Sequence, residues 1–181
     1  MQLTTAVYDR FCFMRECSLV AMILLLLSMP SNAQAQLDAA AKAEIDKATK
    51  AIEVAPTAIN YAERGRFYCR NKMYGLAIGD YNHAIKLMPN QPGLYWRRAE
   101  QLYQLKKYNE AIDDCSRTLR LSKRGDDDYQ SALAGRARCY DELGKEQEAI
   151  ADLRELTSLG DSLAAKDLEK LEKKWAARQR K

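Results

Sequence analysis

The sequence predicts an all-α fold, an array of stacked helix pairs. Three observations carry this. The phrase AIGDYNHAIKLMP at 77–89 returns in degraded form as AIDDCSRTLRLSK at 111–123 and as AIADLRELTSLGD at 149–161. The steps from Tyr61 to Tyr95, from Ala77 to Ala111 and from Tyr81 to Cys115 are all 34 residues, a fixed period that marks one supersecondary unit written repeatedly. Within each unit apolar residues recur at helical spacing, and prolines, glycines and charge clusters punctuate the units. The step from Ala111 to Ala149 is 38, and the four extra residues fall in the loop-like run Lys123-Arg124-Gly125-Asp126-Asp127-Asp128.

Residues 1–35 read as a secretory leader. Arg10 and Arg15 precede the apolar run Leu19–Met29, and Ala33-Gln34-Ala35 supplies the small-x-small end that signal peptidase reads, with cleavage after Ala35. The run is too short for a membrane anchor, because spanning a bilayer takes about 20 apolar residues. Asp9 and Glu16 sit oddly in a basic segment, and a start at Met14 instead of Met1 would place MREC directly before the apolar core. The remaining chain is expected to be exported and to act in the periplasm or cell envelope. Arg10 and Arg15 cancel Asp9 and Glu16, so the net charge of +4 survives removal of the leader. That is short of the basic signature of a nucleic-acid binder.

Residues 36–56 contain a helix, AKAEIDKATKAIEVA at 41–55, that ends at Pro56 and caps the array at its N-terminal side. The three units follow at 57–90, 91–124 and 125–160. In the first, Tyr61, Gly65 and Tyr68 fall on one stripe of a helix, and Ala77, Tyr81 and Ala84 fall on one stripe of the next. Gly65 and Ala77 let the two helices approach, and Pro89 stops the second. The second unit keeps Tyr95, Ala99, Leu102 and Ala111, with Cys115, Thr118 and Lys123 at the later positions. The third keeps Ala137, Tyr140 and Ala149, with Leu133 and Leu153 for the two aromatics. Each pair has more apolar surface than it can cover, so each copy buries the face of the one before. Residues 161–181 form a closing helix, whose stripe Ala164, Leu168, Leu171 and Trp175 lies on an otherwise charged surface ending in the basic tail from Lys173 to Lys181.

These residues resemble the tetratricopeptide repeat, best in Tyr61-x-x-Arg64-Gly65-x-x-Tyr68, Ala77-x-x-x-Tyr81, Ala84 and Pro89, in an exported bacterial-type setting. The resemblance covers residues 41–178. It implies a right-handed α-solenoid of three helix pairs with an N-terminal half-repeat helix and a C-terminal capping helix, eight helices and no strands. One feature departs from the family. Where a leucine is usual, the chain has Arg64, Arg98 and Arg136, and sixteen residues after each comes Asp80, Asp114 and Asp152. An arginine on the pairing stripe is costly alone, so these are expected to be structural ion pairs, each guanidinium clamped by its aspartate.

The chain offers no pattern for catalysis. Its single histidine, His83, lies off the packing stripe and reads as a surface residue. No nucleophile–base set, phosphate loop or metal-ligand spacing appears, so no catalytic residue, cofactor or metal is expected and the protein is not read as an enzyme. Asp126-Asp127-Asp128 lacks the spaced acids and glycine turn of a calcium loop and reads as a helix start. Three cysteines follow the leader, at 69, 115 and 139. Cys115 and Cys139 stand on helices that pack in a stacked array, which leaves both a disulfide and two buried thiols open.

Proteins that resemble this one use the inner face of the first helices as a groove for a peptide or partner helix. Opposite the packing stripe the first repeat shows Arg66, Cys69 and Arg70, the second Trp96, Glu100 and Tyr103, and the third Arg138, Asp141 and Glu142. The candidate groove is therefore Arg66, Arg70, Trp96, Glu100, Tyr103 and Arg138, with Trp96 either an exposed anchor or packed on the preceding repeat. Chaperone-binding members of the family clamp a C-terminal carboxylate with a Lys/Asn set. That set is missing here, and Ala62 and Arg66 stand where it would begin. The expected role is a non-catalytic scaffold for a protein or peptide, with no small-molecule substrate. Self-association, or contact of the basic tail with an anionic membrane surface, is the alternative.

Overall fold

A computed structural model of the chain describes residues 31–180. Arg10, Arg15 and the apolar run Leu19–Met29 lie outside the described residues. Two compact units divide the chain, Met1–Ala43 and Glu44–Lys181. The described part of the first is the beginning of a helix. The second is the helical stack.

Eight helices and no strand occur among the described residues: α1 (Ser31–Val54), α2 (Ala58–Arg70), α3 (Tyr74–Leu87), α4 (Pro92–Gln104), α5 (Tyr108–Leu121), α6 (Asp127–Glu142), α7 (Glu146–Ser158) and α8 (Ser162–Gln179). Local chemistry sets their ends. The Thr57 hydroxyl accepts from the Asn60 amide to start α2, and the Asn60 side chain donates to the carbonyls of Ala51 and Ala55 at the end of α1. Pro92 opens α4 at a position where no intrahelical donor is lost. The Asp161 carboxylate accepts from the amides of Leu163 and Ala164 to start α8.

The turn inside each pair is the same device three times. Lys72, Lys106 and Gly144 have φ of 58°, 59° and 72°, and the next amides, of Met73, Lys107 and Lys145, donate back to the carbonyls of Tyr68, Leu102 and Tyr140. This left-handed closure satisfies the carbonyls at a helix end and suits glycine, which only the third copy has.

Helices α2 and α3, α4 and α5, and α6 and α7 pack as pairs, and each second helix packs on the first helix of the next pair, with α7 packing on α8. Helix α4 also touches α6, whereas α5 and α7 show no comparable approach, so first helices line the inside of the bend in this part of the stack. The pairing positions are small: Ala77, Ala84, Ala111 and Ala149 are fully buried, and a Cβ on Gly65 would stand 3.3 Å from the Tyr81 ring. Tyr81 fills the space Gly65 leaves and is itself 1% exposed.

On that stripe the three arginines make the same contacts. Arg64 donates through Nε and Nη2 to the two carboxylate oxygens of Asp80 at 2.8 and 2.7 Å, Arg98 to Asp114 at 2.7 and 2.6 Å, and Arg136 to Asp152 at 2.8 and 2.7 Å. The remaining nitrogen, Nη1, reaches back to the preceding second helix. It donates to Thr49 from Arg64, to Asn82 from Arg98 and to Ser116 from Arg136. The hydrogen bond to its aspartate raises each guanidinium pKa against the opposing desolvation. Burial lifts the Asp114 carboxyl above its ordinary value even with Arg98 opposing, so this pair is costly to leave half-made.

Cys69, Cys115 and Cys139 are free thiols. Cys115 and Cys139 lie buried in the cluster around Ala99, Leu102 and Ala132, so of the two states left open by the sequence the structure holds the reduced one. Burial pushes Cys115 up to about 12 and Cys139 up to about 11. Cys69 is half-buried, with its sulfur 3.6 Å from the Tyr81 hydroxyl. His83 is exposed, and its ring stacks on Tyr61 at 4.9 Å.

Three outcomes are expected. Asp114→Ala should cost on the order of 3 kcal/mol by stranding Arg98, and Arg98→Leu combined with Asp114→Leu should cost much less. Equal melting temperatures for the single and double variants would refute the clamp. Lys106→Gly should stabilise by about 1 kcal/mol by relieving the left-handed backbone, whereas Lys106→Ala should not. Denaturant midpoints check both. A thiol-alkylating reagent at about pH 8 should modify Cys69 in the folded protein, while Cys115 and Cys139 react only after unfolding, read by peptide mass mapping.

Candidate protein-binding face

The helix repeat sends residues two apart to opposite sides, about 200° around the axis. Arg64 therefore enters the pairing stripe while Arg66 faces out, and Arg136 and Arg138 divide in the same way. The outward rows of α2, α4 and α6 make one face, and three clefts run along it.

The first cleft lies between α2 and α4 and encloses about 370 Å³. Ala58, Ile59, Ala62 and Leu94 supply its apolar wall, Met88 lies at its edge, and Glu63, Arg66 and Arg97 supply charge. Ile59 is 65% exposed and Met88 43%, a large apolar surface to leave in water. The second cleft lies between α4 and α6. It is narrow, and Trp96, Glu100, Tyr103 and Arg138 surround a floor that includes Cys115, Gly135 and Cys139. Gly135 lets the floor close, since a Cβ there would be 3.3 Å from the Cys115 sulfur. The third cleft, about 440 Å³, lies between α6 and α8 and carries Arg138, Asp141, Asp167, Lys170 and Lys174 over Ala137, Leu153 and Leu171.

Of the six residues expected in a groove, the structure brings Trp96, Glu100, Tyr103 and Arg138 together. Trp96 is half-buried with the Arg97 guanidinium 5.4 Å from its ring, and Arg138 stands 5.3 Å from the Tyr103 ring. The Tyr103 hydroxyl donates to Glu142, and burial, followed by the Glu142 charge, holds this phenol above its usual pKa. Arg66 belongs to the first cleft. Arg70 joins neither: its guanidinium lies 4.5 Å from the Phe67 ring and 3.7 Å from Glu44 of α1. Sequence reasoning passed over Glu63, Arg97, Ile59 and Met88. The row Gly93, Arg97, Glu100 at helical spacing was the available signal for Arg97. Met88 ends α3, and no pattern within one helix could place it beside Ile59.

Three cations of the basic tail have acidic partners. Lys174 contacts Asp141 at 2.6 Å, Arg178 contacts the buried Glu146 at 2.6 Å, and Lys173 pairs within α8 with Glu169. No helix among the described residues is long and apolar enough to cross a membrane. No cluster of three or more histidine, cysteine or acidic side chains suited to a metal occurs among the described residues.

No family model matches the chain. Among curated proteins it is 30% identical over 95 residues to the mitochondrial import receptor subunit TOM70 of Homo sapiens, a match covering 50% of this chain and 15% of that protein. It is 31% identical over 129 residues to the translocon at the outer membrane of chloroplasts 64 of Pisum sativum, covering 71% of this chain and 21% of that protein. The chain thus spans only a small part of the curated relatives it matches. Among solved structures it is similar to the first TPR of Spaghetti (RPAP3) bound to HSP90 peptide SRMEEVD. The TM-score is 0.61 at 28% identity, covering 66% of this chain and 93% of that one. The crystal structure of MamA protein superposes with a TM-score of 0.70 over 86% of this chain and 84% of that one, at 16% identity, and shows the fold alone. With the pairing stripes, the period and the left-handed closures described above, these likenesses place the chain in the tetratricopeptide-repeat family.

Proposed function

We propose that this protein is a non-catalytic interaction scaffold that holds a peptide or helix of a protein partner on the first-helix face, and that it acts in the periplasm or cell envelope. The observation that carries the binding reading is the second cleft. Trp96, Tyr103 and Arg138, residue types that anchor interfaces, converge there on a floor of packed helices. A solenoid suits the task, because the stacking stripes carry stability and leave the outward rows free to vary. The solved relative that binds the HSP90 peptide SRMEEVD supports peptide binding as the mode. The envelope reading rests on the leader-like residues Arg10, Arg15, Leu19–Met29 and Ala33-Gln34-Ala35.

Tail-mediated contact with an anionic membrane is the weaker reading, since Lys174 and Arg178 are engaged by Asp141 and Glu146. Self-association is favoured by no single contact on the described surface.

A photo-crosslinking residue at position 100, inside the second cleft, should capture a discrete partner from envelope extract. The same residue at position 86, on α3, should not. Trp96→Ala with Arg66→Glu should abolish the capture while leaving the melting temperature unchanged. Equal capture from both positions, or capture indifferent to those substitutions, would refute the face.

A further inference from the structure

Among the described residues the half-buried arginines of the pairing stripe and several exposed ones have carboxylate partners. Arg64, Arg98 and Arg136 have their aspartates, and Arg124, Arg154 and Arg178 have Glu155, Glu172 and Glu146. Arg117 and Arg120 on α5 and Arg180 after α8 have none, and neither do three arginines that share the first-helix face. Arg66, Arg97 and Arg138 have no carboxylate partner among the described residues, and one of them stands on each of α2, α4 and α6. Two are laid against aromatic rings, Arg97 on Trp96 at 5.4 Å and Arg138 on Tyr103 at 5.3 Å. Stacking orders a guanidinium yet leaves its N–H edge free for the two oxygens of a carboxylate.

The acids of the same face do not cancel this. Asp141 is held by Lys174, and Glu142 accepts from the hydroxyls of Tyr103 and Tyr108. Glu63, Glu100 and Asp167 remain, against the three arginines and Lys170. Beside Arg66 and Arg97 the exposed Ile59 and Met88 give the first cleft an apolar seat.

We propose that the face binds an internal acidic segment of its partner in extended conformation, with carboxylates on Arg66, Arg97 and Arg138 and an apolar side chain on Ile59 and Met88. The proposal rests on the reading of this face as the binding site. Neighbouring first helices stand about 10 Å apart, and an extended chain of polyproline-II type advances about 3.1 Å per residue with three residues per turn, so carboxylates about three residues apart share one side and match that spacing. The segment is internal because Ala62 supplies no donor for a terminal carboxylate. The arginines give a chain end nothing that they do not give an aspartate or glutamate side chain.

The test selects binders to the full chain from random segments of about twelve residues, displayed in a loop so that both ends are tied. A parallel library ends in a free carboxylate. The selected loop segments should be rich in Asp and Glu at about three-residue spacing with an apolar residue between. Their affinity should fall about tenfold or more in Arg66→Glu/Arg97→Glu/Arg138→Glu, be partly kept when the same residues become lysine, and weaken as salt rises. The melting temperature reports that the variants remain folded.

Segments without acidic bias that still depend on Trp96 would overturn this proposal and leave the scaffold reading standing. Binding confined to the free-carboxylate library would overturn it likewise. Polyuridylate binding more tightly than any segment, through the same arginines, would assign the face to nucleic acid. No selected segment in either library, with no polyuridylate binding, would remove both readings together.

Discussion

The bidentate arginine–aspartate clamp inside each pair is the interaction on which the stack depends. It binds the first helix to the second through two hydrogen bonds and the first helix to the preceding pair through a third, so one side chain fixes two interfaces. Buried charge is a poor source of net stability, because removing both ions from water costs nearly what their attraction returns. Its value is in register. A helix shifted by one residue would strand Arg98 away from both Asp114 and Asn82, whereas an apolar stripe of alanines would tolerate the slip. The small residues beside each arginine, Gly65, Ala99 and Ala137, then let the helices close to hydrogen-bonding distance. The ladder ends where its third acceptor ends. At 154, the place that corresponds to Thr49, Asn82 and Ser116, stands Arg154, which pairs with Glu172 of α8. The polarity is reversed, and the next helix is a lid and not another repeat.

Much of this was legible in the sequence, because a repeat lets one copy predict another. The sixteen-residue offset from arginine to aspartate occurs three times, and the stripe geometry leaves the pair nowhere else to go. The third donor was not legible. Thr49, Asn82 and Ser116 share only an oxygen acceptor, so no residue identity recurs to be noticed. The left-handed turns were hidden for a related reason. Gly144 signals one, but Lys72 and Lys106 adopt the same backbone without the residue type that announces it.

The candidate face was legible in part. Trp96, Glu100, Tyr103 and Arg138 share outward rows of α4 and α6, and a helical wheel finds them. Arg70 lies on such a row too, but the neighbouring Phe67 and Glu44 of α1 draw its guanidinium away, a contact that depends on where an earlier helix lies. The first cleft depends on α2, α4 and the end of α3 meeting, and that requires the tertiary arrangement. The tail was misleading for the same reason. Its positive charge is plain in sequence, while the acids that take it up, Asp141 and Glu146, are more than twenty residues earlier.

That engagement of the tail also bounds the face. Helix α8 lies where the first helix of a fourth pair would begin, and it brings Leu171 into the core against Ala149 and Ile150. Lys174 and Arg178 then seal its far end to the turn between α6 and α7. Lys174 uses Asp141 in doing so, and the two hydroxyls of Tyr103 and Tyr108 occupy Glu142. Asp141 and Glu142 are thereby committed to the protein itself. The arginines toward its centre keep their charge for something else. A face that engages Asp141 and Glu142 while leaving Arg66, Arg97 and Arg138 without carboxylate partners keeps positive charge toward its centre, and a ligand that carries carboxylates complements it.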